Sequence, residues 1–356
     1  MKILINTTRL VPLGGVANHY LGLRKHWSEN VLYHPIGKTT SKPGTGIYHL
    51  PKNILTFVWN ILFFSPDAIV LNPSMAVRSL RRDVIFLRIA LFLRKKVIVF
   101  FHGFNIDNVD AKLLEKLVLL LNRCSGIFVL ATSFRFKLRE LGVSVPILLT
   151  TTKIDDEMLQ SFDISCRKGE VRNILFLSRI VREKGIFIAL DALKILRRDF
   201  PYLKLTVAGD GPDLTDAKQY CIVNKIEGVC FKGAMEGAEL VNTYISSDLY
   251  LLPSYHEGMP TTVLEAMAFG LPVVTRPVGG LVDFFERGKM GDMIESLDPT
   301  DYAKAIAKFI GSPRDVSCIS LYNHEYATTN FLASIVAKDL ENKIYVMINP
   351  SEKKEL

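Results

Sequence analysis

Short apolar runs alternate with longer helical segments along most of the chain, and this alternation constrains the fold more than any other feature. Parallel strands are usually buried on both faces and therefore appear as continuous apolar runs. The sequence predicts an α/β fold built from parallel βα units. The predicted strands are 3–5, 68–71, 97–101, 127–130 and 147–149, then 173–177, 203–208, 229–231, 249–252 and 273–275.

A polar stretch near the middle of the chain interrupts this alternation. It runs from about residue 150 to 169 and separates two sets of βα units, each long enough to form its own core. We therefore expect an N-terminal Rossmann-like domain over 1–150, a linker over 151–170 and a C-terminal Rossmann-like domain over 171–328. A last amphipathic segment, at about 329–346, predicts a helix within 329–356.

Composition excludes several classes of protein. A hydrophobic fraction of 49% with 22% charged residues is typical of a globular chain. No apolar run approaches the ~18 residues of a membrane span, and the first residues form too short a run for a secretory signal. The five cysteines include no Cys-x-x-Cys pair, so we expect reduced, mostly buried thiols in the cytosol. No His-Glu-x-x-His motif occurs, and we expect no metal site.

Positive charge is concentrated in the first half. Residues 1–150 contain 20 Lys and Arg against 7 Asp and Glu, whereas residues 151–356 contain 24 against 29. Basic surfaces attract nucleic acid, anionic membranes or anionic substrates. No nucleic-acid motif is present, so we expect no nucleic-acid partner. Segment 78–96 suits either a helix at an anionic membrane surface or a buried helix with solvated basic ends, and the sequence leaves both open.

The stretch 254–274 places two glutamates around the start of a short predicted helix. Pro260 suits the first helical turn and Gly270 the C-terminal cap. Glu257 then lies in the preceding loop, and Glu265 roughly two turns into the helix. Free N–H groups at a helix start bind phosphate, so this turn could hold a nucleotide-sugar between two carboxylates. The alternative is an exposed helix with two ordinary surface glutamates.

Two further loops in the second half follow predicted strands. Arg179 and Lys184 lie between a strand and a helix, where positive charge could stabilise a leaving diphosphate. Gly209 and Gly211 follow strand 203–208 in the sequence Ala-Gly-Asp-Gly-Pro, which an ordinary tight turn explains nearly as well.

The first half contains fewer such signals. Gly14 and Gly15 precede a helix and would let backbone come close to a diphosphate or an acceptor. His102 directly follows strand 97–101, at the edge where ligands bind parallel sheets. His19 could face the acceptor or lie in the core.

The order of these motifs resembles the retaining glycosyltransferases of family 4, which have the GT-B fold. The resemblance covers nearly the whole chain and is strongest from 173 to 285. Ser178 replaces the first glycine of the family's Gly-Arg-Leu-x-x-x-Lys-Gly element, and 150–155 departs from its usual Asn-Gly-x-Asp turn. The resemblance implies an α/β protein of two doubly wound Rossmann-like domains facing a central cleft, with the C-terminal helix crossing back to the first domain.

The resemblance also implies a function and a set of site residues. The expected reaction is metal-independent, retaining transfer of a sugar from an NDP-sugar, which is a substrate, with no cofactor. Catalytic roles fall to His102, Arg179, Lys184 and Glu257. The implied donor-binding residues are Gly14, Gly15, Gly209, Gly211, Phe231, Gly258, Met259, Pro260, Thr261, Thr262 and Glu265.

Charge asymmetry and family habit together suggest the acceptor. We expect a glycan or lipid-linked glycan of bacterial surface polysaccharide synthesis, such as O-antigen or capsule. The chain would be cytoplasmic and peripheral on the anionic cytoplasmic face of the inner membrane. Two other classes share the expected architecture: a GT-B-fold nucleotide-sugar epimerase, and a non-catalytic nucleotide-sugar-binding partner in polysaccharide assembly.

Overall fold

A computed structural model of the chain describes residues 1–10, 14–36, 46–106 and 109–350. The chain divides into two compact units, one comprising Met1–Lys153 with Ala333–Leu356 and the other Ile154–Leu332. Each unit contains a six-stranded parallel sheet with helical connections. The α/β class predicted from the alternation of apolar runs is confirmed.

The first unit contains a sheet with the order β2-β1-β3-β4-β5-β6. Because parallel crossovers are right-handed, the reversal of strand order at β1 places α1 on one face and α2 to α5 on the other. The strands are β1 Lys2–Thr8, β2 Asn30–Ile36, β3 Ala68–Leu71, β4 Val97–Phe101, β5 Gly126–Val129 and β6 Ile147–Leu149. The helices between them are α1 Gly15–Leu23, α2 Gly46–Phe64, α3 Val77–Phe92, α4 Ala111–Leu121 and α5 Thr132–Glu140.

The second unit contains a sheet with the order β12-β11-β10-β7-β8-β9. Its strands are β7 Asn173–Leu177, β8 Lys204–Ala208, β9 Val229–Gly233, β10 Leu249–Leu252, β11 Val273–Thr275 and β12 Gly291–Met293. Its helices are α6 Ile186–Leu196, α7 Leu214–Val223, α8 Gly237–Ile245, α9 Thr261–Ala268, α10 Pro299–Ile310 and α11 Pro313–Asn330. The connections after β7 and β10 diverge to opposite sides of the sheet. Such a switch point is where open α/β sheets bind ligands, at the carboxyl ends of the strands.

A last helix, α12 Ala333–Ile348, belongs to the first unit and packs beside α1. The carboxylate of Glu341 accepts hydrogen bonds from the backbone N–H groups of Ser28 and Glu29, at 2.7 and 2.9 Å. The ammonium of Lys96 donates to the carbonyl of Ile348 at 2.5 Å. The end of the predicted C-terminal segment, 351–356, lies outside the described residues.

The segment predicted to be a linker, 151–170, is packed rather than open along much of its length. Ile154 is fully buried, and its N–H donates to the carbonyl of Phe331 at 2.7 Å. Arg167 donates to the carbonyls of Tyr244, Ile245 and Phe269 at 2.9, 3.2 and 2.8 Å, and also to that of Ser247. One guanidinium thus binds the carbonyl ends of both α8 and α9, where a positive charge also complements the helix dipoles.

The basic, apolar segment around α3 agrees with the interpretation of a buried helix whose basic residues are solvated. Leu80, Phe86 and Leu87 are buried against the sheet, while Arg78 and Arg88 are exposed. Leu80, Phe86 and Leu87 therefore form core contacts. Among the described residues, no helix combines the length and the apolar character that a bilayer span requires.

The expectation of mostly buried thiols is wrong. Cys124 is buried and Cys221 is half-buried, but Cys166, Cys230 and Cys318 are exposed. All five thiols are free, and Cys124 alone belongs to the core.

Replacing Arg167 tests whether the supposed linker stabilises the second unit. Arg167→Met removes the charged donor from several buried carbonyls, and we expect it to lower the free energy of unfolding by about 3 kcal/mol. The control is Arg172→Met, because Arg172 makes an exposed ion pair with Glu170 that should contribute less than about 1 kcal/mol. Chemical denaturation followed by circular dichroism measures both, and equal losses would contradict this role.

Candidate functional site

Three loops meet at the carboxyl ends of β7, β8 and β10 in the second unit. Their backbones approach so closely that a side chain would not fit at the contact points. A Cβ at Gly185 would overlap the carbonyl of Pro253, and one at Gly209 would overlap that of Ser178. Both glycines also have φ in the left-handed region, at +79° and +128°. Glycine is therefore required at these two positions for both space and backbone conformation.

Hydrogen bonds fix the same three loops to one another. The N–H of Tyr255 donates to the carbonyl of Glu183 at 2.8 Å, and the N–H of Ile180 donates to that of Asp210 at 2.9 Å. Gly211 packs on the carbonyl of Ile180 and would overlap it if it carried a Cβ. The loop containing Arg179 and Lys184 is thus held between the other two.

This interlocking brings Lys184 and Glu257 together. The ammonium of Lys184 lies 2.6 Å from both carboxylate oxygens of Glu257. The Glu257 side chain is only 8% exposed and that of Lys184 25%, so the pair is largely shielded from water. The two residues were predicted from separate motifs 73 positions apart, and the structure makes them one charge-paired unit.

Arg179, in contrast, is exposed. Within the described part of the chain, its guanidinium has no carboxylate at ion-pair distance. Arg179 therefore remains available for an anionic ligand, while the charge of Lys184 is balanced by Glu257.

Helix α9 positions the second glutamate. Glu265 is 5% exposed, and its Oε2 accepts a hydrogen bond from the hydroxyl of Tyr244 at 2.7 Å. The hydroxyl of Tyr250 lies 2.7 Å from the carbonyl of Leu177 and 2.6 Å from the hydroxyl of Thr262. Tyr250 donates to the carbonyl and therefore accepts from Thr262. Burial raises the pKa of both tyrosines well above the usual range, so both are neutral donors.

The C-terminal end of α9 lies where the sequence predicts it, whereas the N-terminal end does not. Gly270 follows the last turn with φ +70°, as expected for a C-terminal glycine cap. Pro260, expected within the first turn, is instead the N-cap, and the helix begins at Thr261. No side chain caps this end.

Another glycine pair, which the sequence pattern did not single out, holds the loop of Glu257. A Cβ at Gly279 would overlap the carbonyl of Gly258, and the N–H of Gly280 donates to the same carbonyl at 2.7 Å. The signal available in the sequence was the Val-Gly-Gly turn five residues after β11 begins. Met259, beside this contact, packs partly buried against the core of the unit.

Phe231 lies on β9, the edge strand, and is partly buried. Its ring lies 5.8 Å from the ammonium of Lys218. Two strands of the sheet, β7 and β8, separate it from β10, so it belongs to the far side of the same carboxyl edge.

In the first unit, His102 belongs to a buried polar network centred on Asn72. The side-chain amide of Asn72 donates to the carbonyl of Asn6 at 3.0 Å. Its oxygen accepts from the hydroxyl of Tyr20 at 2.8 Å and lies 2.9 Å from Nε2 of His102. Nε2 must therefore carry the hydrogen, which leaves Nδ1 as an acceptor. Asn72 was missed because a single asparagine after a strand gives no distinctive sequence signal.

Burial makes the neighbouring histidines poor bases. Burial lowers the pKa of His102 to about 3. It also lowers the pKa of His19 well below the usual range, and the nearby Lys153 acts in the same direction. His19 is 2% exposed, so the core interpretation fits its burial, and its ring lies 5.2 Å from that of His102. Both imidazoles are therefore neutral at neutral pH.

The glycine pair lies at the start of α1, one residue further into the helix than predicted. Gly14 is the N-cap with φ +123°, and Gly15 begins the helix. A Cβ at either position would have no other heavy atom of the described residues within 4 Å, so backbone conformation rather than crowding favours glycine at Gly14.

Across the ranges that the structure describes, no cluster of three or more His, Cys, Asp or Glu side chains could hold a metal ion.

Comparison with known proteins finds sequence similarity in the second unit. Residues 160–321, all within that unit, match the family described as Glycosyl transferases group 1. TuaC of Bacillus subtilis, provisionally named as a teichuronic acid biosynthesis glycosyltransferase, is 37% identical over 114 residues, 32% of this chain and 27% of that protein. WcaL of Salmonella typhimurium, provisionally a colanic acid biosynthesis glycosyltransferase, is 25% identical over 230 residues, 61% of this chain and 56% of that protein. The chain thus spans less than two thirds of either relative.

A solved structure matches the architecture over nearly the whole chain. HepE of Anabaena in complex with UDP superimposes with a TM-score of 0.79 and 18% identity, covering 97% of this chain and 100% of that one. Crystals of HepE with UDP-glucose give a TM-score of 0.78. The likeness establishes the fold class, and the predicted GT-B assignment is confirmed.

The buried histidines predict that acid destabilises the first unit. The unfolded state takes up a proton near pH 6.5, whereas folded His102 does so only near pH 3. Stability is therefore lost as the pH falls below 6.5, and His102 alone should account for about 2 kcal/mol between pH 7.5 and 5. His102→Gln should flatten the pH dependence by that amount.

Tryptophan fluorescence measures the pH-dependent unfolding of the first unit, because Trp27 and Trp59 both lie in that unit. His256→Gln, at an exposed position of the second unit, is the control. An unchanged pH dependence in His102→Gln would show that His102 is not held neutral by burial.

Proposed function

We propose that the chain is a retaining glycosyltransferase that moves a sugar from an NDP-sugar to an acceptor. The observation that carries this proposal is the pairing of Lys184 with Glu257 beside the start of α9, at the switch point of the second sheet. The region that matches the glycosyltransferase family contains this whole arrangement.

In this proposal the second unit binds the donor. The start of α9, at Thr261 and Thr262, lies where N–H groups and the helix dipole favour a phosphate. Glu265, held by Tyr244, would accept hydrogen bonds from the ribose hydroxyls. Gly209 and Gly211 would let the nucleotide approach the backbone, and Phe231 would lie beside the base.

The proposed reaction breaks the bond between the anomeric carbon and the diphosphate oxygen. Arg179 and Lys184 stabilise the negative charge that develops on the departing diphosphate. Glu257 accepts hydrogen bonds from the sugar hydroxyls. In the first unit, the neutral His102, with Nδ1 as an acceptor, is the remaining proposed catalytic residue. The acceptor oxygen bonds to the anomeric carbon on the face that the diphosphate leaves, and a phosphate oxygen takes the acceptor's proton. In this proposal Arg179 and Lys184 supply the positive charge for which other enzymes use a metal ion. The NDP-sugar is a substrate, and no cofactor is needed.

The proposed acceptor is a glycan or lipid-linked glycan of bacterial surface polysaccharide. The names of TuaC and WcaL, both for polysaccharide biosynthesis, support this choice. UDP-sugars are the first donors to try, since HepE was crystallised with UDP and UDP-glucose. A nucleotide-sugar epimerase of the same fold remains the second candidate, distinguished by product formation without any acceptor.

Nucleotide binding tests the donor site directly. In a thermal-shift titration with UDP, GDP, ADP, CDP and their sugars, we expect one nucleotide to stabilise the protein, by about 2.7 kcal/mol at a hundred times its Kd. Glu265→Gln should weaken this binding about tenfold or more, because the ribose loses a charged acceptor. Glu239→Gln, exposed on α8 of the same unit, should bind normally. No response to any nucleotide would count against the donor site.

Transfer activity tests the role of Glu257. With the identified donor, Glu257→Gln should reduce kcat about 100-fold or more while nucleotide binding is kept, because its charge acts on the sugar rather than the nucleotide. Glu183→Gln, exposed in the adjoining loop, is the matched control. Near-normal transfer by Glu257→Gln would refute the assignment.

A further inference from the structure

One helical face of the first unit exposes large apolar side chains. From Lys52 onward, the exposed positions of α2 recur at helical spacing and form a single stripe, consisting of Lys52, Leu55, Thr56, Trp59, Leu62 and Phe63. Leu55 is 72% exposed, Trp59 59%, Leu62 62% and Phe63 66%. The rings of Trp59 and Phe63 stack at 3.6 Å, so they present one continuous aromatic surface.

The neighbouring helices continue this surface. α2 packs against α3, and α3 packs against α4. Since α2 to α5 lie on the same side of the sheet, exposed apolar residues on the others belong to the same face. These are Phe92 at the end of α3, Leu119 on α4 and Phe136 on α5, which are 83%, 68% and 60% exposed. We call α2 to α5 together the helical face.

The helical face is also strongly basic. Among its described residues, eight exposed lysines and arginines accompany two exposed glutamates, Glu115 and Glu140. The basic residues are Lys52, Arg78, Arg81, Arg88, Lys112, Lys116, Lys137 and Arg139. Arg81 lies 3.8 Å from Asp110, whereas Arg78 and Arg88 extend from the same side of α3 with no carboxylate at ion-pair distance in the described chain.

We propose that the helical face docks on an anionic lipid surface, with α2 lying at the interface. Large apolar and aromatic side chains enter the boundary between headgroups and acyl chains, and basic residues attract anionic headgroups. A second copy of the chain fits less well, because a two-fold contact would oppose one basic face to another. Nucleic acid would neutralise the charge but would leave Leu55, Leu62 and Phe92 in water. The proposal does not depend on the proposed glycosyl transfer.

The proposed membrane contact differs in position from the segment that the sequence analysis considered. A membrane-surface helix was one of the two interpretations that the sequence left open for segment 78–96. The structure buries Leu80, Phe86 and Leu87 of α3, and α3 exposes arginines and its last residue, Phe92. Four of the seven exposed large apolar side chains named here come from α2, whose residues the sequence pattern did not single out.

Flotation with lipid vesicles tests the proposal without any nucleotide, so its failure is separate from failure of the glycosyltransferase assignment. We expect the protein to float with phosphatidylcholine vesicles containing phosphatidylglycerol at low salt, and not with phosphatidylcholine alone. Trp59→Ser with Phe63→Ser, and separately Arg78→Glu with Arg88→Glu, should each reduce binding about tenfold or more.

Matched controls in the second unit keep the test specific. Ile222→Ser with Val223→Ser removes two apolar side chains that are 71% and 68% exposed on α7, and Lys194→Glu with Arg198→Glu reverses two exposed charges. These variants should bind vesicles normally. Equal loss in the controls, or no binding of the unaltered protein to anionic vesicles, would overturn the proposal. So would a dimer in light scattering that the Trp59 and Phe63 variant converts to monomer.

Fluorescence locates the contact on α2. Trp27 and Trp59 are the tryptophans of the chain, so Trp27→Phe leaves Trp59 as the reporter. Anionic vesicles should shift its emission to shorter wavelength, and brominated lipid should quench it. Binding without either change would place the contact elsewhere and overturn the role of α2.

Discussion

Close contact between backbones in the second unit determines where its charged side chains lie. Gly185, Gly209 and Gly279 each rest on a carbonyl of another loop, with no room for a side chain. These contacts bind the loops after β7, β8 and β10 into one rigid layer. Lys184 and Glu257 lie on two of these loops and meet at 2.6 Å. A site assembled in this way is preorganised, which keeps the cost of arranging charges low when a ligand binds.

The charge balance of this layer follows from the same contacts. Breaking a shielded ion pair is costly, so Lys184 and Glu257 support each other whether or not a ligand is present. Arg179, exposed and without such a partner in the described chain, is free to respond to a new anion. In the proposed function, a diphosphate beside the start of α9 would meet Arg179, which has no ion-pair partner in the described chain, and Lys184, whose charge Glu257 balances. We therefore infer that Arg179 contributes more to diphosphate attraction and Lys184 more to the position of Glu257.

The sequence predicts the central strands of both sheets because these are buried on both faces and are continuously apolar. It missed β2 and β12, which lie at sheet edges: β2 includes exposed Pro35, and β12 is only Gly291–Met293. The motif residues of the second unit were predictable because glycine and charged residues there follow strands directly. The pairing of Lys184 with Glu257 was not, since it depends on which loops the strand order makes adjacent. Arg167 was missed for a related reason: its partners are backbone carbonyls, which leave no trace in the sequence.

The two units differ in how completely their buried polar groups are satisfied. In the second unit, Glu265, Tyr244 and Tyr250 all have hydrogen-bond partners, and among the described residues only Arg276 Nε and Asn323 Oδ1 are buried without one. In the first unit, several buried side-chain atoms lack a hydrogen-bond partner among the described residues. They belong to residues near the carboxyl ends of the strands: Asn6, Thr7, His19, His34, Thr150 and Thr151. Unsatisfied buried groups cost free energy unless something else binds them. That edge of the sheet is where a polar ligand would recover this cost. If the second unit holds the donor, the first is suited to a hydroxyl-rich acceptor, whose own groups would complete the network around Asn72.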